Sequence, residues 1–501
     1  MANQELHEVD GPFGAPVPVR EERAQLKADE LNLFDATAVA VSSVAPAYSL
    51  ATALGSMFLI STVGFHAPAM VIVSFVPILF IAHAYFHLNR RNPNCGASYA
   101  WLSQVVSPSV GWFNGFVQVG ISAIFCIQSP VVAAQYSLSF LQSLGWISTT
   151  TASSTLWTSL IAVAWLGLIT FFCVCGIRWT TNFQWILCII EYVAVIGFSV
   201  GGIIKAVVEK AHHHAFHVAW FNPLGVHGAG NVATALAVGT FLFWGWDTAV
   251  NLNEETKNAS RTPGRAAVLS MWLILAVFVL NFVAAQMLLT PSQLANADNI
   301  LFVFGVAFAG HWAGYVMIFA VLSSSVATAQ TTLLPAARIA LSMSRDEVFP
   351  SFFSTISHRF RTPVRGTLAL GLFAGVGIFF VDYTSSGANI IATFTNNVGA
   401  IVALYYGITG IACAWAFRRA WREKTSFLIV GIALPLLSGI ILIGVLVWDL
   451  YSGGWSAMKW DIILLVLSVV LTPLTYWRKR HTAFFTQPRV AYDTIDEVVT
   501  L

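Results

Sequence analysis

His83, Glu191 and Asp247 interrupt long apolar stretches of the chain. A carboxylate at the centre of a bilayer costs roughly 2.5–3.5 kcal/mol on insertion scales, so such a residue marks a transport pathway by default. Glu191 lies in Cys188-Ile-Ile-Glu191-Tyr192, and Asp247 lies in Phe241-Leu-Phe243-Trp244-Gly245-Trp246-Asp247-Thr248. The alternative for either is a structural carboxyl hydrogen-bonded between helices. His83 stands near the end of its run and reads as a packed or interfacial imidazole. Two stretches add backbone chemistry. Ser42-Ser43-Val44-Ala45-Pro46-Ala47 places a proline in an apolar run, which removes one amide and frees the carbonyl four residues earlier. Gly245 stands between two tryptophans beside Asp247, and glycine weakens a helix by about 1 kcal/mol relative to alanine. Interrupted helices in corresponding positions of two halves point to a transporter's binding site, where freed amides and carbonyls solvate a polar solute at mid-membrane.

The elements that must hold these groups follow from composition. Of 501 residues, 57% are hydrophobic and 10% charged, against about 25% charged in a soluble protein. Runs long enough to cross a bilayer fall at about 36–62, 66–88, 109–140, 155–177, 183–207, 231–252, 266–290, 312–340, 366–381, 389–417, 426–448 and 462–477. The expected fold is an all-α polytopic membrane protein of twelve transmembrane helices, joined by loops too short for a soluble domain. With the N-terminus inside, 22 of the 25 Lys and Arg residues fall on the inner side and only Lys205, Lys210 and Lys459 on the outer. That predicts a multi-pass protein of the plasma membrane (a bacterial inner membrane) with both termini cytoplasmic. Residues 1–34 read as an N-terminal tail and 481–501 as a C-terminal one. The six cysteines read as small membrane hydrophobes, and Ala211-His212-His213-His214 with His217 as a solvated outer loop.

The chain has no HExxH, no paired intramembrane aspartates and no phosphate loop, so neither an enzyme nor an ATP-driven pump is expected. No cofactor and no nucleic acid is expected; a channel or a non-transporting receptor is the rival of another class, and the chain is expected as a monomer or homodimer in the lipid bilayer.

Trp244-Gly245-Trp246-Asp247, followed by Asn253-Glu254-Glu255-Thr256-Lys257-Asn258-Ala259-Ser260-Arg261-Thr262-Pro263, resembles the helix 6 signature of the amino acid–polyamine–organocation permeases. Asn94-Cys-Gly96-Ala-Ser-Tyr99-Ala-Trp101, Gly111-Trp112-Phe-Asn-Gly115 and Arg338-Ile-Ala-Leu-Ser-Met343-Ser-Arg345-Asp346 resemble that family too, in the loop and opening of helix 3 and the end of helix 8. The resemblance implies a five-plus-five inverted repeat with broken helices 1 and 6 and two extra C-terminal helices. Within a permease domain of 35–480, the repeats would run about 35–210 and 230–420, with helices 11–12 at 425–478. It implies a secondary active transporter that moves an amino acid by alternating access, through proton coupling or exchange, with amines and polyamines as the alternative substrates.

The solute would lie between Ser43, Ala45, Pro46, Ala47 and Tyr48 on one side and Phe243, Trp244, Gly245, Trp246 and Asp247 on the other, with Gln128, Ser324 and Asn396 closing the sides. The resemblance also departs in places. Ala45-Pro46-Ala47 stands where the family has a glycine pair whose amides hold a substrate carboxylate, and Pro46 has no N–H. Some proton-coupled members carry a lysine fifteen residues after the glycine that opens helix 5; counted from Gly176, that position is Glu191. An acid there can exchange a proton, or bind a cation such as sodium with Ser323, Ser324 or Ser325. Glu254 and Glu255 would meet Arg338 or Arg345 as an inner gate.

Overall fold

A computed structural model describes residues 25–209, 214–296, 299–384, 387–452 and 454–492. All twelve apolar runs fold as helices. The first is split into α1 (Leu33–Val44) and α2 (Pro46–Leu59); the second to fifth are α3 (Ala67–Arg91), α5 (Pro108–Ser143), α6 (Thr155–Cys175) and α7 (Ile177–Val208), with a short α4 (Ser98–Val105) ahead of α5. The sixth is split into α8 (Ala229–Leu242) and α9 (Thr248–Asn251). Then come α10 (Thr262–Leu288), α11 (Ile300–Ala309), α12 (His311–Arg345), α13 (Val364–Thr384), α14 (Gly387–Ala416), α15 (Leu434–Ser452) and α16 (Gly454–Lys479). Ten of the runs are long and apolar enough to cross a membrane, and the sixth and ninth contribute the shorter apolar helices Ala229–Leu242 and Val364–Phe380. The sixth falls short because its helix stops three residues before Gly245.

The sequence reading missed α11. Its ten residues are apolar but span about 15 Å at 1.5 Å per residue, half the hydrocarbon thickness, so it lies against α2 and α12 without crossing.

The packing repeats when each run is exchanged for the one five places away. α1 packs on α10 as α8 packs on α3, α7 on α10 as α14 on α3, and α7 on α12 as α14 on α5. α6 meets α5 and α12 as α13 meets α12 and α5, while α3–α10 and α5–α12 map onto themselves. This is the pairing expected of an internal inverted repeat. α15 and α16 stand outside it, and with α6 and α7 they turn apolar side chains such as Trp179, Val193 and Val469 outward. On α7 the buried face runs Gln184, Leu187, Cys188, Glu191, Val195, Ser199, a helical period that directs the carboxylate inward while Ile189 and Val193 face out.

The last part of the expected N-terminal tail is docked. The N–H groups of Glu30 and Leu31 donate to the Glu255 carbonyl at 2.9 and 3.0 Å, and the Lys257 N–H returns a bond to Leu31. Asn32 caps α1, and Asp35 accepts from Arg178 and from the Trp185 indole at 3.0 and 3.1 Å.

Candidate functional site

The two helix breaks lie against each other. Ala45 adopts a left-handed backbone (φ 51°, ψ 68°), and Pro46 starts α2 at the one position where its missing N–H costs nothing. Gly245 has φ 115°, and a Cβ there would lie 2.8 Å from the Ser43 carbonyl oxygen. Glycine therefore serves twice, for the dihedral and for the approach. The Ser43 and Thr248 hydroxyls meet at 3.0 Å; Thr248 donates to the Thr331 carbonyl at 3.1 Å, and Thr328 donates to the Ser43 carbonyl at 2.9 Å. α12 thus stitches both breaks together.

At the start of α2 the first-turn amides are already occupied. The Ala47 N–H donates to Glu191 Oε1 at 2.8 Å, and the Tyr48 N–H donates to Ser324 Oγ at 3.0 Å. Ser324 in turn donates to the same Glu191 oxygen at 2.6 Å. Glu191 is fully buried, and its Oε2 finds no partner among the described residues. Ser323 and Ser325 turn instead to the Leu187 and Val321 carbonyls, and no group of three metal-ligating side chains is present among the described residues.

Asp247 is held by neutral donors. Tyr406 donates to Oδ1 at 2.9 Å and Tyr405 to Oδ2 at 3.4 Å, while the Trp244 indole N–H fixes the Tyr405 hydroxyl at 2.6 Å. Trp244 also packs edge-on against Phe125, with ring centres 4.9 Å apart. Ser43, Trp244, Gly245, Asp247, Thr248 and Tyr405 line a cavity of about 20 Å³, room for roughly one water at this closure.

Other expected site residues stand elsewhere. Trp246 is buried behind the cavity wall, stacked on Tyr406 at 5.2 Å and edge-on to Tyr85 at 5.0 Å. Phe243 packs into the core between Phe75 and Phe278. Gln128 is buried on α5 with neither amide atom partnered among the described residues, yet it is Gln118 and Ser122, further toward the start of α5, that line the cavity. The Asn396 side chain lies outside the described residues, as do residues 211–213 of the histidine cluster. Sequence reasoning missed Tyr405, Tyr406, Thr248 and Thr331. A pair of phenols inside an apolar run was the available signal, since buried tyrosine hydroxyls seek partners.

Toward the face that carries residues 30–35, two ion pairs close the bundle. Arg338 grips Glu255 through two parallel bonds, Nε to Oε2 at 2.6 Å and Nη2 to Oε1 at 2.9 Å, both residues fully buried. Arg345 pairs with Glu254 at 2.9 Å, and Glu254 also accepts from the Cys95 N–H at 3.0 Å. Burial opposes the Glu254 charge, but Arg345 and the Cys95 N–H outweigh it and hold the carboxyl below its ordinary value.

A helical bundle with an internal two-fold, broken in both repeats where a buried carboxylate meets a cavity, defines a multi-pass membrane carrier of the broken-helix class. The chain belongs to the family described as amino acid permease, whose family model matches residues 31–472. It is 27% identical over 370 residues to the low-affinity putrescine importer PlaP of Escherichia coli (strain K12), covering 72% of this chain and 75% of that protein. It is 25% identical over 411 residues to the Asc-type amino acid transporter 1 of Homo sapiens (78% and 72% covered). It is 23% identical over 350 residues to the cationic amino acid transporter 3, mitochondrial, of Arabidopsis thaliana (64% and 52% covered). The chain is thus a transporter of the amino acid–polyamine–organocation superfamily, as its helix 6 signature implied.

Proposed function

We propose that this transporter carries a small amine, with the ammonium bound at Asp247 between the two helix breaks. The carrying observation is that Asp247 faces the cavity with only neutral donors, and no Lys or Arg among the described residues pairs with it. A buried carboxylate without a cation is a place for a ligand's cation. The Trp244 and Tyr405 rings beside it suit an alkylammonium, each desolvated cation–π contact contributing roughly 0.5–2 kcal/mol. At about 20 Å³ the cavity must widen to admit a solute, which fits a closed stage of alternating access.

An amino acid is the second reading. The family's description and the human and plant relatives support it, and a solute carboxylate could take over the Ala47 amide from Glu191. Energy coupling in either reading falls to Glu191, whose bare Oε2 can take and release a proton, or to exchange of one solute for another. The charge bias of the loops supports both termini in the cytoplasm, which makes the Glu255–Arg338 and Glu254–Arg345 pairs an inner gate.

Thermal stabilisation of the purified protein against amines and amino acids tests the reading, since a ligand of the folded state raises stability by RT ln(1 + [L]/Kd). Stabilisation by amines, lost in Asp247→Asn, supports it. Amine stabilisation that survives Asp247→Asn removes Asp247 from the site.

A further inference from the structure

The N-terminal end of a helix that begins in mid-membrane is an anion site, because its first amides have no partners within the helix and its dipole favours negative charge. In α2 Pro46 supplies no amide, so Ala47 and Tyr48 are the donors of the opening turn. One carboxylate oxygen answers both: Glu191 Oε1 takes the Ala47 N–H directly and the Tyr48 N–H through Ser324. The second oxygen, Oε2, is buried beside them without a partner among the described residues. The carboxyl group that such an end attracts is therefore already present and covalently part of the protein, delivered from α7.

We infer that Glu191 is a specificity-determining residue: it holds the helix end that a substrate carboxylate would occupy, so the carrier accepts amines and rejects their carboxylated counterparts. Two donors serve one carboxylate. A solute carboxylate arriving at α2 finds both amides engaged and the Glu191 carboxyl in its place; it loses its hydrogen bonds there and, whenever Glu191 is ionised, its charge compensation as well. A solute with no carboxylate loses neither, and Asp247 remains to hold its ammonium. The inference rests on the reading that the solute lies between the breaks with its ammonium at Asp247.

The test uses the full chain in detergent and in proteoliposomes, with amines paired to amino acids that differ only by the α-carboxylate: butane-1,4-diamine with ornithine, and 2-methylpropylamine with valine. Wild type is expected to be stabilised by the amines and not by the amino acids. In Glu191→Ala the Ala47 amide and the Ser324 hydroxyl proton are freed, and the preference for amine over amino acid is expected to fall roughly tenfold to a hundredfold, the size of a hydrogen bond to a charged group. Acetate is expected to raise the melting temperature of Glu191→Ala and to leave wild type unmoved, a response that a merely structural role for Glu191 does not produce. Should Glu191→Ala fail to fold, Glu191→Gln decides, since its amide oxygen keeps both hydrogen bonds while the charge is gone; a smaller fall in preference is expected. Folded Glu191 variants that keep the wild-type preference overturn the inference and leave the amine reading standing. Wild type stabilised equally by ornithine and butane-1,4-diamine also overturns it, and wild type stabilised by no amine overturns both.

Discussion

Tyr406 donates its hydroxyl to Asp247 at 2.9 Å while its ring stacks on Trp246 at 5.2 Å, so a carboxylate of one helix break is aimed by a residue of α14 that is itself clamped by the same break. The site is built from α8–α9 and α14 together, and α1 joins it through Ser43 and Thr248.

Asp247→Asn keeps the shape and the phenol contacts but removes the charge. An ammonium bound there is left uncompensated, and amine affinity is expected to drop roughly a hundredfold or more. Tyr406→Phe removes one neutral donor and is expected to weaken binding only about fivefold to tenfold. Ligand-induced melting shifts on both variants check the order.

Gly245→Ala forces an L side chain into φ 115° and drives its Cβ against the Ser43 carbonyl. The dihedral alone costs about 1–3 kcal/mol. A lowered melting temperature and lost uptake are expected, and a Ser43→Ala partner should not rescue it, because removing the Ser43 hydroxyl leaves the clash with the Ser43 backbone carbonyl.

Arg338→Ala leaves Glu255 buried without its partner, which is expected to destabilise the protein by about 3–5 kcal/mol. Arg338→Lys keeps the charge but not the fork and should recover part of that. Arg345→Ala, at a half-exposed pair, should cost far less. Melting curves of the three variants separate these cases.

The Glu254–Arg345 pair carries a pH signature. Glu254 titrates below its ordinary 4.5 in the folded protein, so its contribution is present above that value and is lost as pH falls through the lower folded one. The melting temperature of wild type should exceed that of Glu254→Gln at pH 6 and converge on it below about pH 4.5. A gap that is constant with pH contradicts the pairing.

Pro46 and Gly245 made both breaks legible in sequence, because a missing amide and a missing Cβ leave the chain few helical options. The twelve runs were legible for the same reason that a bilayer demands them. What escaped was lateral: Tyr405 and Tyr406 look like ordinary apolar residues of a run, and only the packing of α14 against α8 turns their hydroxyls to Asp247. Trp246 looked like a contact residue from its neighbours, yet the turn at Gly245 sends it behind the wall and brings Trp244 to the cavity. Nor does spacing alone reveal that Glu191 reaches the α2 amides, since that contact joins residues 144 apart.

The most direct test is tracer counterflow of labelled butane-1,4-diamine in proteoliposomes loaded with the unlabelled diamine, run on wild type and on Asp247→Asn. A transient overshoot of label is expected in wild type, which a channel does not give, and none in Asp247→Asn at the same concentration. An overshoot of equal size in the variant would contradict the placement of the ammonium at Asp247, and no overshoot in wild type would contradict the carriage of amines.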